Sequence, residues 1–428
     1  MSIQHRSGQP AAVLGGIRIP FCKSGSHYAH LRIVDLMTAS MKALVEKFNL
    51  KGQKLDEVSL GAVFDHPAVW NLARQAVIDS GLSLETPAFG IQRACATSLE
   101  ATINISNKIA LGQIDVGVAG GVESMSDAAL FCRPALVQRI LKHAQAKTIL
   151  DKWNLWKGIR WKDLKPGIPP FYELSTGKNM GQYCEMMVKE WNVSRQEQDE
   201  IALRSHQNTI KAYERGFYKD LVAPFQGLSM DKTVYKDSSK EKLAKLRPVF
   251  DTSGKGTLTA GNSSPFTDGA ACVLLASEAW AKAHGFEVQA YFTEHETTAI
   301  NFFHEGLLLA PAYAGARLMQ RTGHHLQDFD FYEIHEAFAG QVACTLKAWE
   351  SETFCREKVK VEATLLGSIA KEKINVCGGS VALGHPFGAT GARLVTTLAK
   401  LLQEKGSGKG LISICTGGGM GTVAILER

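Results

Sequence analysis

The sequence lacks the marks of several protein classes. Its nine cysteines are scattered and odd in number, and no two form a Cys-x-x-Cys pair. That argues against a disulfide framework and a structural zinc site, and it suits a reducing cytoplasm. No apolar run reaches the length of a transmembrane helix. Residues Met1–Gly8 are polar and carry no hydrophobic signal region, so no secretion signal is expected. No nucleic-acid module is recognisable, and a net charge of +6 is too modest to imply one. It suits anionic substrates or lipid head groups. A cytoplasmic protein without a metal or nucleic-acid partner is the expectation.

What is present is a soluble globular composition, 45% apolar and 21% charged. At 428 residues the chain exceeds what one hydrophobic core usually supports, so two or three units are expected. Ala11–Pro20 reads as a strand, Ile33–Phe48 as a helix, Val58–Phe64 as a strand and Pro67–Ser80 as a helix ended by Gly81. Pro87–Ile91 is a short buried strand, Leu99–Ala110 a helix stopped by Gly112, and Val116–Gly121 a strand. This alternation predicts a largely parallel α/β sheet. The last third repeats it. Strand Asp328–Ile334 and helix Phe338–Trp349 match Val58–Ser80. Helix Leu394–Leu402 and strand Gly410–Cys415 match the Leu99 helix and its following strand. Two similar halves related by a pseudo-twofold would face equivalent helix starts towards one shared site.

Between the halves, roughly Ser126 to Pro265, strand signals thin and charge rises. From Arg133 to Lys165 nine lysines and arginines stand against Asp151 and Asp163, with Trp153, Trp156 and Trp161 interleaved. An amphipathic helix packing on its own domain is one reading. A helix that meets an anionic lipid surface or a partner is the other.

The chemistry centres on Cys95, placed where a strand turns into a helix. A thiol at a helix N-terminus feels the positive end of the dipole, which favours the thiolate. Taken alone, such a cysteine is more often a buried structural residue. Three later segments shift the balance. His385 lies in the glycine-rich turn Gly384–Gly391 before a helix, well placed as a base for a nearby thiol. Cys415 opens Cys415-Thr416-Gly417-Gly418-Gly419, and His335 opens His335-Glu336-Ala337-Phe338. The run Gly417–Gly421 precedes a strand, Thr422–Leu426, and not the helix that a dinucleotide site needs. Gly406–Gly410 lacks the Ser/Thr of a phosphate loop. His335-Glu336 and His295-Glu296 are not zinc motifs, because Ala339 and Ala299 stand where the second histidine belongs.

Over nearly its whole length the chain resembles the thiolase family. The resemblance rests on Cys95 in its turn, Gly120–Met125, Gly261–Ser264 with Asp268-Gly269-Ala270, His335–Phe338, Gly384-His385-Pro386 and Cys415-Thr416-Gly417. All six in order are highly specific. Many thiolases have asparagine where this chain has His335. The histidine form is similar to the β subunit of the fatty-acid oxidation trifunctional complex and its bacterial relatives. Thr97 stands where many members have serine. The resemblance implies a fold of two similar α/β halves in a five-layered αβαβα core with an inserted loop domain. Residues 1–125, completed by about 266–288, would form the N-terminal half, 126–265 the loop domain and 289–428 the C-terminal half.

It also implies a reaction: cleavage of a 3-ketoacyl-CoA by CoA. Cys95 would be the nucleophile, His385 its base and Cys415 the acid at carbon. The N–H groups of Cys95 and Gly417 would hold one oxyanion, and His385 with a water on His335 the enolate oxygen. Met180, Leu246, Phe250, Ser264, Ala337 and Phe338 match family CoA contacts. CoA is then a substrate, and no cofactor is expected. The family further implies a homodimer, within a heterotetramer with a hydratase–dehydrogenase α subunit, and peripheral membrane contact. A ketosynthase would normally carry histidine at the Cys415 position. A biosynthetic acetoacetyl-CoA thiolase and a non-catalytic lipid-binding protein of thiolase descent are the alternatives.

Overall fold

The structure is a computed structural model that describes residues 8–167 and 169–428. Most of the polar opening stretch read for a signal, residues 1–7, lies outside the described residues. Among the described residues there are ten strands: β1 Ala11–Arg18, β2 Cys22–Lys23, β3 Glu57–Gly61, β4 Ala88–Gly90, β5 Val116–Glu123, β6 Thr267–Ala276, β7 Ala290–Ala299, β8 Phe331–Ile334, β9 Lys409–Thr416 and β10 Met420–Glu427. Nine of them run in the order β4-β3-β5-β6-β1-β7-β10-β9-β8, and β2 pairs with β6.

The order reads the same from both ends. In the first half β4, β3 and β5 are parallel, and β6 and β1 continue antiparallel. In the second half β8 and β9 are parallel, and β10 and β7 continue antiparallel. The counterpart of β4 shrinks to one bridge between Tyr332 and Ile374. Antiparallel pairing of β1 with β7, from Ala11–Phe292 to Val13–Ala290, joins the halves.

Period-two alternation sorts the apolar residues of each sheet between two faces. Leu411, Val423 and Ile425 pack outward with Met319, Val342 and Trp349. Ile412, Ile414, Ala424 and Leu426 pack inward with Leu99, Ile103, Leu394 and Leu398. On the other sheet Val58, Leu60, Val118 and Leu274 face Leu36, Met37, Met41 and Leu44. Two outer apolar cores and an inner one shared by both sides of the middle layer thus bind five layers, and the middle layer holds the helices Thr97–Ala110 and Thr390–Lys405.

Those two central helices meet at their starts, as the repeat predicts. A side chain at Gly391 would collide with the Leu99 backbone. The Ser98 hydroxyl accepts the Ala392 N–H at 2.9 Å, so the first half satisfies a helix-end donor of the second.

Several boundaries differ from the sequence expectation. Val58–Phe64 leaves the sheet at Gly61, because the N–H groups of Val63 and Phe64 turn to the Glu123 carboxylate at 3.1 and 3.0 Å. The helix expected from Pro67 starts at Leu72, where Asn71 caps it. Strand β8 starts at Phe331, because Leu326–Asp328 forms a 3₁₀ turn.

The intervening region is fastened to β1 by Arg18, whose two Nη atoms bind the Asp231 carboxylate at 2.5 and 2.7 Å inside the protein. Part of it stands away from the core. Phe131 and Gly167 exchange both backbone hydrogen bonds, at 3.1 and 2.7 Å, forming a neck. Beyond it the helices Pro134–Gln145 and Ile149–Trp156 bury no residue. Trp156 donates to His143 and ties the two together. Trp153 and Trp161 point to solvent with Ile149 and Leu150.

Candidate active site

Cys95, His335, His385 and Cys415 come from four different elements and converge between the halves. Cys95 sits in the turn between β4 and the Thr97–Ala110 helix, preceded by Ala94 at φ +41°. A non-glycine residue there is strained by about 1 kcal/mol or more and must be held. Thr97 holds it: its hydroxyl donates to the Ala94 carbonyl at 2.7 Å and accepts the Arg93 N–H at 2.9 Å. His335 follows the end of β8, and its N–H donates to Ser413 of β9 at 2.8 Å. His385 lies in the turn before the Thr390–Lys405 helix, and Cys415 near the end of β9.

The Cys95 Sγ and one ring nitrogen each of His335 and His385 lie within 4.8 Å of one another. The imidazole centroids are 4.0 Å apart. The N–H of Gly417 faces the Cys95 thiol, and burial first, then the neighbouring Cys95, push the Cys415 thiol well above its usual range. These three donors have the make-up of a soft-metal site. A metal there would consume the thiolate and lone pairs that nucleophilic chemistry uses.

Electrostatically the site rests neutral. Desolvation pushes the Cys95 thiol up to about 12, against the opposing pull of the Gly417 N–H. The helix start therefore does not yield a resting thiolate, as the sequence had suggested, because loss of water outweighs the dipole. Burial lowers His385 to about 3 and holds His335 well below the imidazole range. A proton moved from Cys95 to His385 would leave a charge pair where burial favours the neutral forms.

Four of the six CoA-contact candidates form one patch. Ser264 donates through both its N–H and its hydroxyl to the Ala337 carbonyl, at 3.0 and 2.9 Å. The Phe250 and Phe338 rings meet edge to face at 5.7 Å. Phe250 also lies over Gly181, next to Met180. Leu246 is exposed and lies against Gly261, three residues before Ser264.

Comparison with known proteins gives the architecture its family. Residues 11–279 match the thiolase N-terminal domain, and residues 286–428 match the thiolase C-terminal domain. The chain belongs to the thiolase family. A 3-ketoacyl-CoA thiolase of Photorhabdus laumondii is 38% identical over 428 residues, covering 99% of this chain and 98% of that one. A 3-ketoacyl-CoA thiolase of Yersinia pestis is 37% identical over the same span. The crystal structure of the Bacillus anthracis acetyl-CoA acetyltransferase superposes with a TM-score of 0.82 at 28% identity, covering 99% of this chain and all of that one.

Several supporting residues of this thiolase site escape sequence reading. Glu123 joins the ends of β3 and the His385 turn, accepting the N–H groups of Val63, Phe64 and Gly388. Glu336 accepts from Ser205 at 2.7 Å and from the Val381 N–H at 3.1 Å, tying the intervening region to the second half. Glu173 reaches the Gly418 N–H beside Gly417. A chain of rings, Phe171 against Phe64 and Phe266, leads through Phe387 to His385. Each depends on a partner far away in sequence.

Proposed function

We propose that the protein is a 3-ketoacyl-CoA thiolase, an acetyl-CoA C-acyltransferase that acts in fatty-acid β-oxidation. The observation that carries the reading is the meeting of Cys95, His385 and His335 under the Gly417 N–H, with Cys415 alongside. His385 Nε2 takes the Cys95 proton as the sulfur adds to the 3-keto carbon. The bond between C2 and C3 then breaks, and its electron pair forms the enolate of acetyl-CoA. The Cys415 thiol gives its proton to C2 and becomes a thiolate. It recovers a proton from the CoA thiol, which attacks the acyl-Cys95 thioester. Cys95 leaves as thiolate and takes back the proton from His385. One thiol is thus a nucleophile and the other an acid–base at carbon. CoA is a substrate in this scheme, and no resident cofactor takes part. Met180, Leu246, Phe250, Ser264, Ala337 and Phe338 are the proposed CoA contacts.

The test is incubation with a 3-ketoacyl-CoA in the absence of free CoA, followed by mass spectrometry. One acyl group on Cys95 is expected; an acyl group on Cys415 would reverse the assignment. A chain-length series then separates this reading from an acetoacetyl-CoA thiolase, the reading that likeness to the Bacillus anthracis acetyl-CoA acetyltransferase favours. Turnover confined to the four-carbon substrate would select that second reading.

We infer a homodimer through the β4 edge. Among the described residues β4 pairs on one side only, and beside it Trp70 stands fully exposed over a cavity of about 320 Å³ lined by Leu60, Val69 and Ile91. Trp70→Arg should shift the mass measured by light scattering towards the monomer. The exposed basic excursion is the proposed contact for an anionic membrane or a hydratase–dehydrogenase subunit, in keeping with a cytoplasmic, membrane-associated enzyme. Each basic group near an anionic leaflet contributes on the order of 1 kcal/mol, and salt screens it. Sedimentation with anionic vesicles that is equal for wild type and for a variant lacking Trp153, Trp161, Lys157 and Lys162 would remove the membrane contact. Co-purification of the same variant with the α subunit decides the other.

A further inference from the structure

The two site histidines have opposite hydrogen-bonding neighbours. His385 Nδ1 lies 2.6 Å from the Thr390 hydroxyl, and that hydroxyl already donates to the Pro386 carbonyl at 3.1 Å. A hydroxyl has one proton to give. Given to the Pro386 carbonyl, which can only accept, that proton leaves the Thr390 oxygen to accept from His385, an arrangement in which His385 carries its hydrogen on Nδ1 and a lone pair on Nε2.

His335 is arranged the other way. Its Nδ1 lies 2.9 Å from Ser380 Oγ, and Ser380 Oγ accepts from Arg393 Nη2 at 2.9 Å. A guanidinium has donors only and keeps its protons at any ordinary pH. The direction of the first bond is thus fixed. Among the described residues the Ser380 hydroxyl has no acceptor besides His335 Nδ1. Ser380 therefore donates, His335 Nδ1 accepts, and the single hydrogen of a neutral His335 sits on Nε2. Arg393 itself is 1% exposed and lies 3.9 Å from the equally buried Glu333, whose carboxyl burial pushes up to about 8.

The Nε2 atoms of both histidines are buried and have no partner among the described residues. They belong to adjacent rings beside the Cys95 sulfur.

We propose that Arg393 and Ser380 are positioning residues that lock His335 as an Nε2–H donor, while Thr390 locks His385 as an Nε2 acceptor. Two identical side chains thereby acquire opposite roles. The acceptor takes the thiol proton, and the donor faces oxygen that gains negative charge as the carbon–carbon bond breaks. A hydroxyl between two groups free to rotate could point either way; one anchored by an arginine cannot. The roles rest on the thiolase reading above, whereas the tautomers rest on the hydrogen bonds alone.

The test uses the full-length protein with ¹⁵N-labelled histidine. Long-range ¹H–¹⁵N correlation separates Nδ1–H from Nε2–H imidazoles, and His335→Gln and His385→Gln assign the two spin systems. Wild type should show His335 as Nε2–H and His385 as Nδ1–H. Ser380→Ala should move His335 away from pure Nε2–H and leave His385 unchanged, whereas Ser380→Thr, which keeps the hydroxyl, should restore the pattern. Loss of a preorganised donor costs roughly 10²-fold or more in turnover. For Ser380→Ala we therefore expect kcat to fall by about that factor at little-changed KM, with the rate of Cys95 alkylation by iodoacetamide preserved. A wild-type His335 in the Nδ1–H form, or an unchanged His335 pattern in Ser380→Ala, overturns the proposal. The expected tautomers without any thiolysis would instead overturn the functional reading and leave the hydrogen-bond assignment standing.

Discussion

Glu173 accepts the backbone N–H of Gly418 at 2.7 Å, across 245 residues of sequence. The carboxylate comes from the intervening region, and the N–H belongs to the turn whose neighbouring amide, that of Gly417, faces the Cys95 sulfur. The region that separates the halves in sequence thus shapes the backbone at the reacting atoms.

Glu173→Ala frees that turn. A hydrogen bond to a charged group contributes about 1.5–3 kcal/mol when both partners are ordered. We expect kcat to fall by roughly tenfold, since the Gly417 amide loses its fixed direction. Glu173→Gln keeps an acceptor oxygen and should recover much of the rate. Steady-state kinetics with one 3-ketoacyl-CoA decides, and an unaltered kcat in Glu173→Ala would show that the turn is rigid without it.

Thr97 is predicted to act through its hydroxyl and not its methyl group. Thr97→Ser keeps the bonds to Arg93 and Ala94 and should retain near wild-type activity. Thr97→Val keeps the shape and abandons both partners, at a cost of about 1–3 kcal/mol. Urea denaturation and acylation rates should separate the two variants, and similar values for both would contradict this account.

Cys415→Ser should keep acyl transfer to Cys95 from a simple thioester while losing carbon–carbon cleavage by about 10²-fold or more, because only cleavage protonates carbon. Stopped-flow acylation alongside thiolysis supplies the comparison. An equal fall in both reactions would make Cys415 a structural support of the nucleophile.

Stability should decline on the acid side because of His206. Burial lowers it to about 4, and its Nδ1 accepts the Tyr235 N–H at 3.2 Å. The folded protein thus prefers neutral His206, whereas the unfolded chain takes up a proton near pH 6.5. The stabilisation is complete above about pH 6.5 and disappears as the pH falls towards 4, on the order of 3 kcal/mol in all. His206→Asn, which keeps an acceptor near the Nδ1 position, should flatten the dependence of Tm on pH across that window. A parallel decline in both proteins would assign the acid sensitivity elsewhere.

The groups proposed to react were legible in the sequence because each sits in a short motif where one element turns into the next. Cys95, His335, His385 and Cys415 could be singled out by local pattern. The groups that hold them could not. Thr390 and Ser380 look like ordinary helix-start residues, Arg393 like a helix surface charge and Glu173 like a loop acid, until folding brings their partners to them. The repeated architecture was also legible, since period-two strands and amphipathic helices recur in the same order. Strand ends were less so. The apolar run from Val58 to Phe64 continues past Gly61, and nothing local announces that Glu123 takes the next two N–H groups. The fading of the second-half counterpart of β4 to a single bridge at Ile374 likewise leaves no mark in composition.

The neck at Phe131 and Gly167 has a consequence for how such a chain can change. Reciprocal hydrogen bonds bring the two ends of the excursion as close as neighbouring strands, about 5 Å. Everything between them leaves and returns through one doorway. The catalytic body therefore does not register the length, charge or shape of what lies outside it. A lineage is free to lengthen, shorten or recolour that attachment without redesigning the body that carries it.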